Sequence, residues 1–96
     1  MAKAYWIAHV TVTDPDAYRR YTEANGAAFA KYGGRFLARG GRAEVVEGHG
    51  QGRNVIIEFD SFEKAKACWD SPEYQHAKSF RLGAATGDFV IVEGVG

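Results

Sequence analysis

Residues 3–13, KAYWIAHVTVT, alternate in the manner of a β-strand but are largely apolar on both sides. Tyr5, Ile7, His9 and Thr11 project to one face, and Ala4, Trp6, Ala8, Val10 and Val12 to the other. A strand with one wet side alternates apolar with polar residues, so this one needs cover above and below. Aromatic and β-branched residues fill it, and neither glycine nor proline interrupts it. The rest of the chain must supply both covers or leave one to a second molecule.

The segment TDPDAYRRYTEANGAAFAKYGG, residues 13–34, supplies one cover as a helix. Thr13 or Asp14 can cap the first turn, Pro15 suits the first helical position, and Asp16 sits at the positive end of the dipole. Tyr18, Tyr21, Asn25, Ala28, Phe29 and Tyr32 recur at spacings of three and four and form the inward stripe. Gly33 or Gly34 ends the helix.

The next stretch, RFLARGGRAEVVEG, residues 35–48, starts as a strand, meets Gly40 and Gly41, and resumes. A phosphate-cradling loop needs further glycines at set spacing and a Lys-Ser or Lys-Thr entering a helix, so that reading fails. One bent edge strand is expected, with the glycines at a bulge; a hairpin turning at Gly40-Gly41 is the alternative, with short arms. EGHGQGR then turns the chain into RNVIIEFDS, residues 53–61, an apolar strand suited to the sheet centre. Ser61 can cap a short helix with Phe62, Ala65, Cys68 and Trp69 on one face, and Ser71-Pro72 breaks and restarts it. Tyr74, Ala77, Lys78, Arg81 and Ala84 or Ala85 continue the row, Gly87 closes it, and DFVIVEG is the last strand. The order βαββαβ predicts an α+β fold, a split βαβ with a four-stranded antiparallel sheet and both helices on one face.

That arrangement leaves the second face bare. Val55, Ile57 and Phe59 oppose Ile56 and Glu58, while Phe89 and Ile91 oppose Val90 and Val92, so both sheet faces carry apolar residues. A homodimer packed through the open sheet face is the expected cover.

At 96 residues the chain is expected to form one domain, residues 1–96, and so short a domain gains from a partner. Its 12 basic and 12 acidic residues balance, and no basic block stands out, which argues against nucleic acid. No apolar run is long enough to read as a secretory leader or a membrane span. Cys68 is the single cysteine, so no internal disulfide forms, and a buried, inert thiol in a cytoplasmic protein is expected.

The chain resembles the DUF1330 proteins of the dimeric α/β-barrel superfamily, a group similar in shape to antibiotic-biosynthesis monooxygenases. The resemblance runs through YWIAHVTVTDPDAYRRY, FAKYGGRFLARGG, VIIEFDSFEKAKACWDSPEYQ and GDFVIVEG. It implies a ferredoxin-like subunit that pairs through its sheet to make a barrel, and it assigns no reaction.

His9 lies mid-strand among apolar residues, and Glu58 lies inside VIIEF, where a carboxylate needs a partner, water or a proton. If the first and third strands pair antiparallel, the two could meet across the ladder, with Glu58 orienting His9 as a general base. His9 and Glu58 are therefore the candidate catalytic pair; the alternative is a structural hydrogen bond. Tyr21, Arg39 and Arg81 are the candidate substrate-binding residues, with Arg39 as a clamp for a carboxylate or enolate; the alternatives are a packed aromatic for Tyr21 and an interface or surface arginine for Arg39. His49 and His76 are expected to be solvated. The histidines have no local metal-site spacing, and there is no dinucleotide fingerprint, so neither metal nor cofactor is expected. Two functional classes remain: a protein binding a small anionic or aromatic metabolite between sheet and helices, and a cofactor-independent oxygenase or isomerase using the same cavity.

Overall fold

In the computed structural model, which describes residues 2–96, strands β1 (Ala4–Val12), β2 (Arg35–Arg39), β3 (Arg53–Phe59) and β4 (Ala85–Glu93) form one sheet in the order β2-β3-β1-β4. Every neighbouring pair is antiparallel. Helices α1 (Pro15–Tyr32), α2 (Phe62–Asp70) and α3 (Pro72–Arg81) complete the ferredoxin-like βαββαβ order, the second helix being split in two.

Local chemistry explains the helix boundaries. The Asp14 carboxylate accepts from the Ala17 amide at 3.2 Å, Pro15 follows it, and Gly33 forms the C-cap. Ser71 serves two helices at once: its hydroxyl donates to the Cys68 carbonyl at 2.7 Å and accepts from the Tyr74 amide at 3.1 Å. Pro72 then starts α3 without needing an amide partner.

The core lies between the sheet and the helices. Ala4, Trp6, Ala8 and Val10 of β1 and Val55, Ile57 and Phe59 of β3 face the helices and are buried. Trp6 anchors the cluster, with ring centroids 5.1 Å from Phe29 and 4.9 Å from Tyr74, both edge-on, and its indole donates to the Ala65 carbonyl at 2.9 Å. Burying an aromatic side chain of this size contributes about 4–6 kcal/mol at ~25 cal/mol per Å².

Three expectations need correction. The sheet does not close into a barrel: β2 and β4 are its two edges and do not pair with each other. Four strands also make too few to wrap around a filled interior, so the α/β-barrel reading is withdrawn while the ferredoxin-like topology stands. The segment 35–48 is not one long bent strand. A register irregularity does occur, between Phe36 and Ala38, but β2 ends at Arg39. Gly40 adopts φ +68°, and a side chain there would collide with the Arg53 guanidinium; residues 41–47 form no strand. Finally, Gly87 does not close the last helix. Helix α3 stops at Arg81, and Gly87 lies inside β4 opposite Val10, where the two backbones approach too closely for a Cβ.

Candidate functional site

Alternation along β1 and β3 sorts the candidate residues onto two sides of the sheet. His9 pairs with Asn54, and Glu58 pairs with Tyr5, so His9 and Glu58 share the face that no helix covers. They do not meet. Four ladder positions separate them, about 13 Å at ~3.3 Å per residue. The His9 ring nitrogen Nδ1 lies 2.6 Å from the Asn54 side-chain oxygen, and the exposed imidazole forms no ion pair with a described carboxylate. Glu58 instead accepts from Arg35 Nε at 3.2 Å and Nη2 at 3.1 Å, and Asp60 accepts from the same Nη2 at 3.0 Å. The Arg35 guanidinium holds the Asp60 carboxyl below its ordinary value, and Asp60 and Glu58 together hold Arg35 protonated. The expected histidine–carboxylate dyad is thus replaced by two separate polar contacts.

The helix side carries a different constellation. A cavity of about 550 Å³ lies between α1 and the sheet. Buried Trp6, Ala8, Val55 and Ile57 line it from the sheet, and Tyr18, Tyr21, Asn25 and Phe29 from the inward stripe of α1. Phe36, Arg39, Arg53 and Phe89 complete much of the wall, and Pro15 and Arg19 belong to its exposed rim. Among the described lining residues there is no carboxylate and no imidazole.

Its charge is therefore one-sided. Arg19 is paired to Asp16 at 3.4 Å, but neither Arg39 nor Arg53 forms an ion pair with a described carboxylate. The Arg39 guanidinium stacks 4.6 Å from the Phe36 ring centre, and that of Arg53 lies 5.4 Å from the Tyr18 ring centre. Arg53 Nε is buried with no hydrogen-bond partner. Burial and the neighbouring Tyr21 raise the Tyr18 phenol above its ordinary value, while Arg53 and Arg81 pull it the other way. Tyr18 remains a neutral hydrogen-bonding group at physiological pH.

Of the predicted binding residues, Tyr21 and Arg39 line this cavity. Arg81 lies behind the wall, its guanidinium carbon 5.3 Å from the Tyr21 ring centre and 4.2 Å from that of Phe89. Sequence reasoning missed Arg53, although the signal was available: Arg53 shares its parity with Val55, Ile57 and Phe59, which places it on the helix side. His49 and His76 are exposed, and among the described residues no three His, Cys, Asp or Glu side chains gather closely enough to hold a metal ion. Among the described residues, no helix is long and apolar enough to cross a membrane.

Comparison with known proteins adds a family and a set of shapes. A family model described as a domain of unknown function, DUF1330, matches residues 3–95. No curated protein is a significant sequence match. Among solved structures, a protein of unknown function from Rhodopseudomonas palustris, RPA0582, is 17% identical with a TM-score of 0.79, over 99% of this chain and 84% of that one. SnoaB from Streptomyces nogalater, described as a cofactor-independent oxygenase, is 10% identical with a TM-score of 0.65, over 100% and 96%. A dimeric ferredoxin-like protein of unknown function from Bacteroides fragilis is 17% identical with a TM-score of 0.65, over 96% of each chain. At these identities the likeness concerns the fold.

Proposed function

The chain belongs to the DUF1330 family, and on that footing we propose that its cavity binds a small conjugated anion and supports cofactor-independent oxygenation of it. The observation that carries this reading is the aromatic-walled cavity with two arginines free of ion pairs and no lining carboxylate. Aromatic walls accept a planar ligand, and Arg39 and Arg53 favour its ionised form. An electron-rich anion held away from water can react with dioxygen directly; the protein binds it, keeps it ionised and orients it. The shared fold with SnoaB supports the same class of chemistry. Oxygenation fits better than isomerisation, because proton abstraction from carbon needs a base that the cavity wall lacks.

The test is oxygen uptake by the purified protein with a panel of phenols, naphthols and enolisable diketones. Turnover with at least one of them is expected, falling about tenfold or more in Arg53→Leu while the fold is retained. Saturable binding of the same compounds without oxygen uptake would refute the enzyme reading. It would favour the second one, a metabolite-binding protein, which the absence of a lining base also fits.

Pairing of two copies through the open face belongs to the same proposal. Tyr5, Ile7, Ile56, Val90 and Val92 lie there, with Val90 50% and Val92 41% exposed, and the Bacteroides fragilis protein is described as dimeric. Light scattering at micromolar concentration should return twice the chain mass, and Val90→Lys should return the single mass. A monomer in both would refute it. Cytoplasmic residence completes the proposal, supported by a lone cysteine kept as a buried thiol.

A further inference from the structure

Arg81 is a cation with no anion beside it. It is 8% exposed in the last turn of α3 and forms no ion pair with any described carboxylate. Its Nε is buried without a hydrogen-bond partner. Stacking against Tyr21 and Phe89 offsets only part of the cost of burying such a charge. Both of those rings also line the cavity.

One hydrogen bond leads out of this buried charge. Arg81 Nη2 donates to the Tyr74 hydroxyl oxygen at 3.2 Å, and that oxygen lies 2.9 Å from the hydroxyl oxygen of Tyr21. Tyr74 is fully buried, whereas Tyr21 belongs to the cavity wall. A phenol oxygen that accepts from a guanidinium becomes a better donor through its own proton. Tyr74 is thereby biased to donate to Tyr21, which leaves the Tyr21 proton free for an acceptor other than Tyr74.

We propose that Tyr21 is the oxyanion donor of the cavity, and that Arg81 and Tyr74 are positioning residues that polarise it. The inference rests on the cavity reading above and narrows its ligand class. A single O–H donor suits an anion whose charge sits on one oxygen, a phenolate or enolate, better than a carboxylate, which matches the fork of an arginine. Tyr18 and Arg53 face the same cavity, with Arg39 and Arg19 toward its rim, so the test must separate the contribution of Tyr21 from theirs.

The probe is 4-nitrophenol, whose bound phenol and phenolate forms are distinguished by absorption. The intact protein should bind the phenolate about 10- to 100-fold more tightly than the phenol, so the bound probe ionises at lower pH than the free one. Tyr21→Phe should abolish most of that preference, and Tyr74→Phe and Arg81→Met should reduce it with the far-UV circular dichroism unchanged. A second measurement needs no variant: the Tyr21 hydroxyl proton resonance should move downfield when the phenolate binds. That displacement should persist in Arg53→Leu, which weakens anion binding by a separate route. An unchanged phenolate preference in folded Tyr21→Phe, or an unmoved hydroxyl resonance, would overturn the relay while leaving the cavity reading in place. Failure of 4-nitrophenol to bind at all would overturn both.

Discussion

Gly87→Ala should be among the most damaging one-atom additions in this chain. Gly87 faces Val10 across the β1/β4 ladder. A Cβ there would overlap the His9 carbonyl oxygen and stand 2.9 Å from Val10 Cα and 3.0 Å from the His9 carbonyl carbon. All three are backbone atoms, so no flexible side chain can turn aside. Carbon atoms in ordinary contact keep about 3.5–4.0 Å apart, so the strands must separate locally by up to about 1 Å. Two ladder hydrogen bonds at about 0.5–1.5 kcal/mol each, with about 1 kcal/mol of residual strain, give a loss of about 2–4 kcal/mol. That is a large part of the ~5–15 kcal/mol holding a domain together, and a fall in Tm of about 10–30 °C. Gly26→Ala in α1 makes the natural comparison, since nothing lies within 4 Å of its added Cβ. It should gain about 0.5–1 kcal/mol. Urea unfolding followed by circular dichroism, at one fixed protein concentration, measures both. A Gly87→Ala protein within about 0.5 kcal/mol of the parent, with the same m-value, would refute the close-approach argument.

Gly40→Ala should cost about 1–2 kcal/mol from its positive φ, and it should weaken anion binding because the added carbon collides with the Arg53 guanidinium; unaltered affinity for a naphthoate probe would break that link. Cys68 is fully buried and its thiol is pushed up to about 12 by that burial, so it should resist a thiol reagent at pH 8 until the protein unfolds. Rapid native labelling would contradict this. Asp60 is held below its ordinary 3.8 by Arg35, so its contribution to stability is complete above that value and lost as pH falls through the lower folded one. Melting curves from pH 6 to 2 should therefore show a shallower acid loss in Arg35→Met than in the parent, and parallel curves would exclude the pair as a source of acid sensitivity.

The residues announced the topology more clearly than the site. Helix α1 was legible almost to the residue, because capping groups, a proline, a stripe and a terminal glycine all agree. The strand faces were legible from alternation alone, and the resemblance in DUF1330 segments pointed to the matching family. The end of β2 was not: GGRAEVVEG has strand composition, and only the positive φ of Gly40 marks where the chain departs from strand geometry. Gly87 looked like a helix stop because its close approach to β1 depends on a strand seventy-odd residues away. His9 and Glu58 drew attention as polar residues in apolar strands, yet both face away from the cavity. Their separation depends on register, which is a property of two strands together and is written in neither. The tyrosine relay was hidden for a similar reason, since Tyr21, Tyr74 and Arg81 come together only when α3 docks on α1.

The sheet works as a partition whose two sides are encoded in the same few residues. Ala4, Trp6, Ala8 and Val10 border the core and cavity, while Tyr5, Ile7, His9 and Thr11 lie on the face that carries no helix. A saturation scan along β1 should therefore read as two interleaved records with a period of two. Even positions should report on folding and ligand affinity, and odd ones on solubility and self-association. Neighbours in sequence would then be free to drift at different rates, so the outer surface of a relative could be remade without disturbing its cavity. A single-residue insertion would exchange the two records at once, which makes such insertions in β1 far less tolerable than several substitutions.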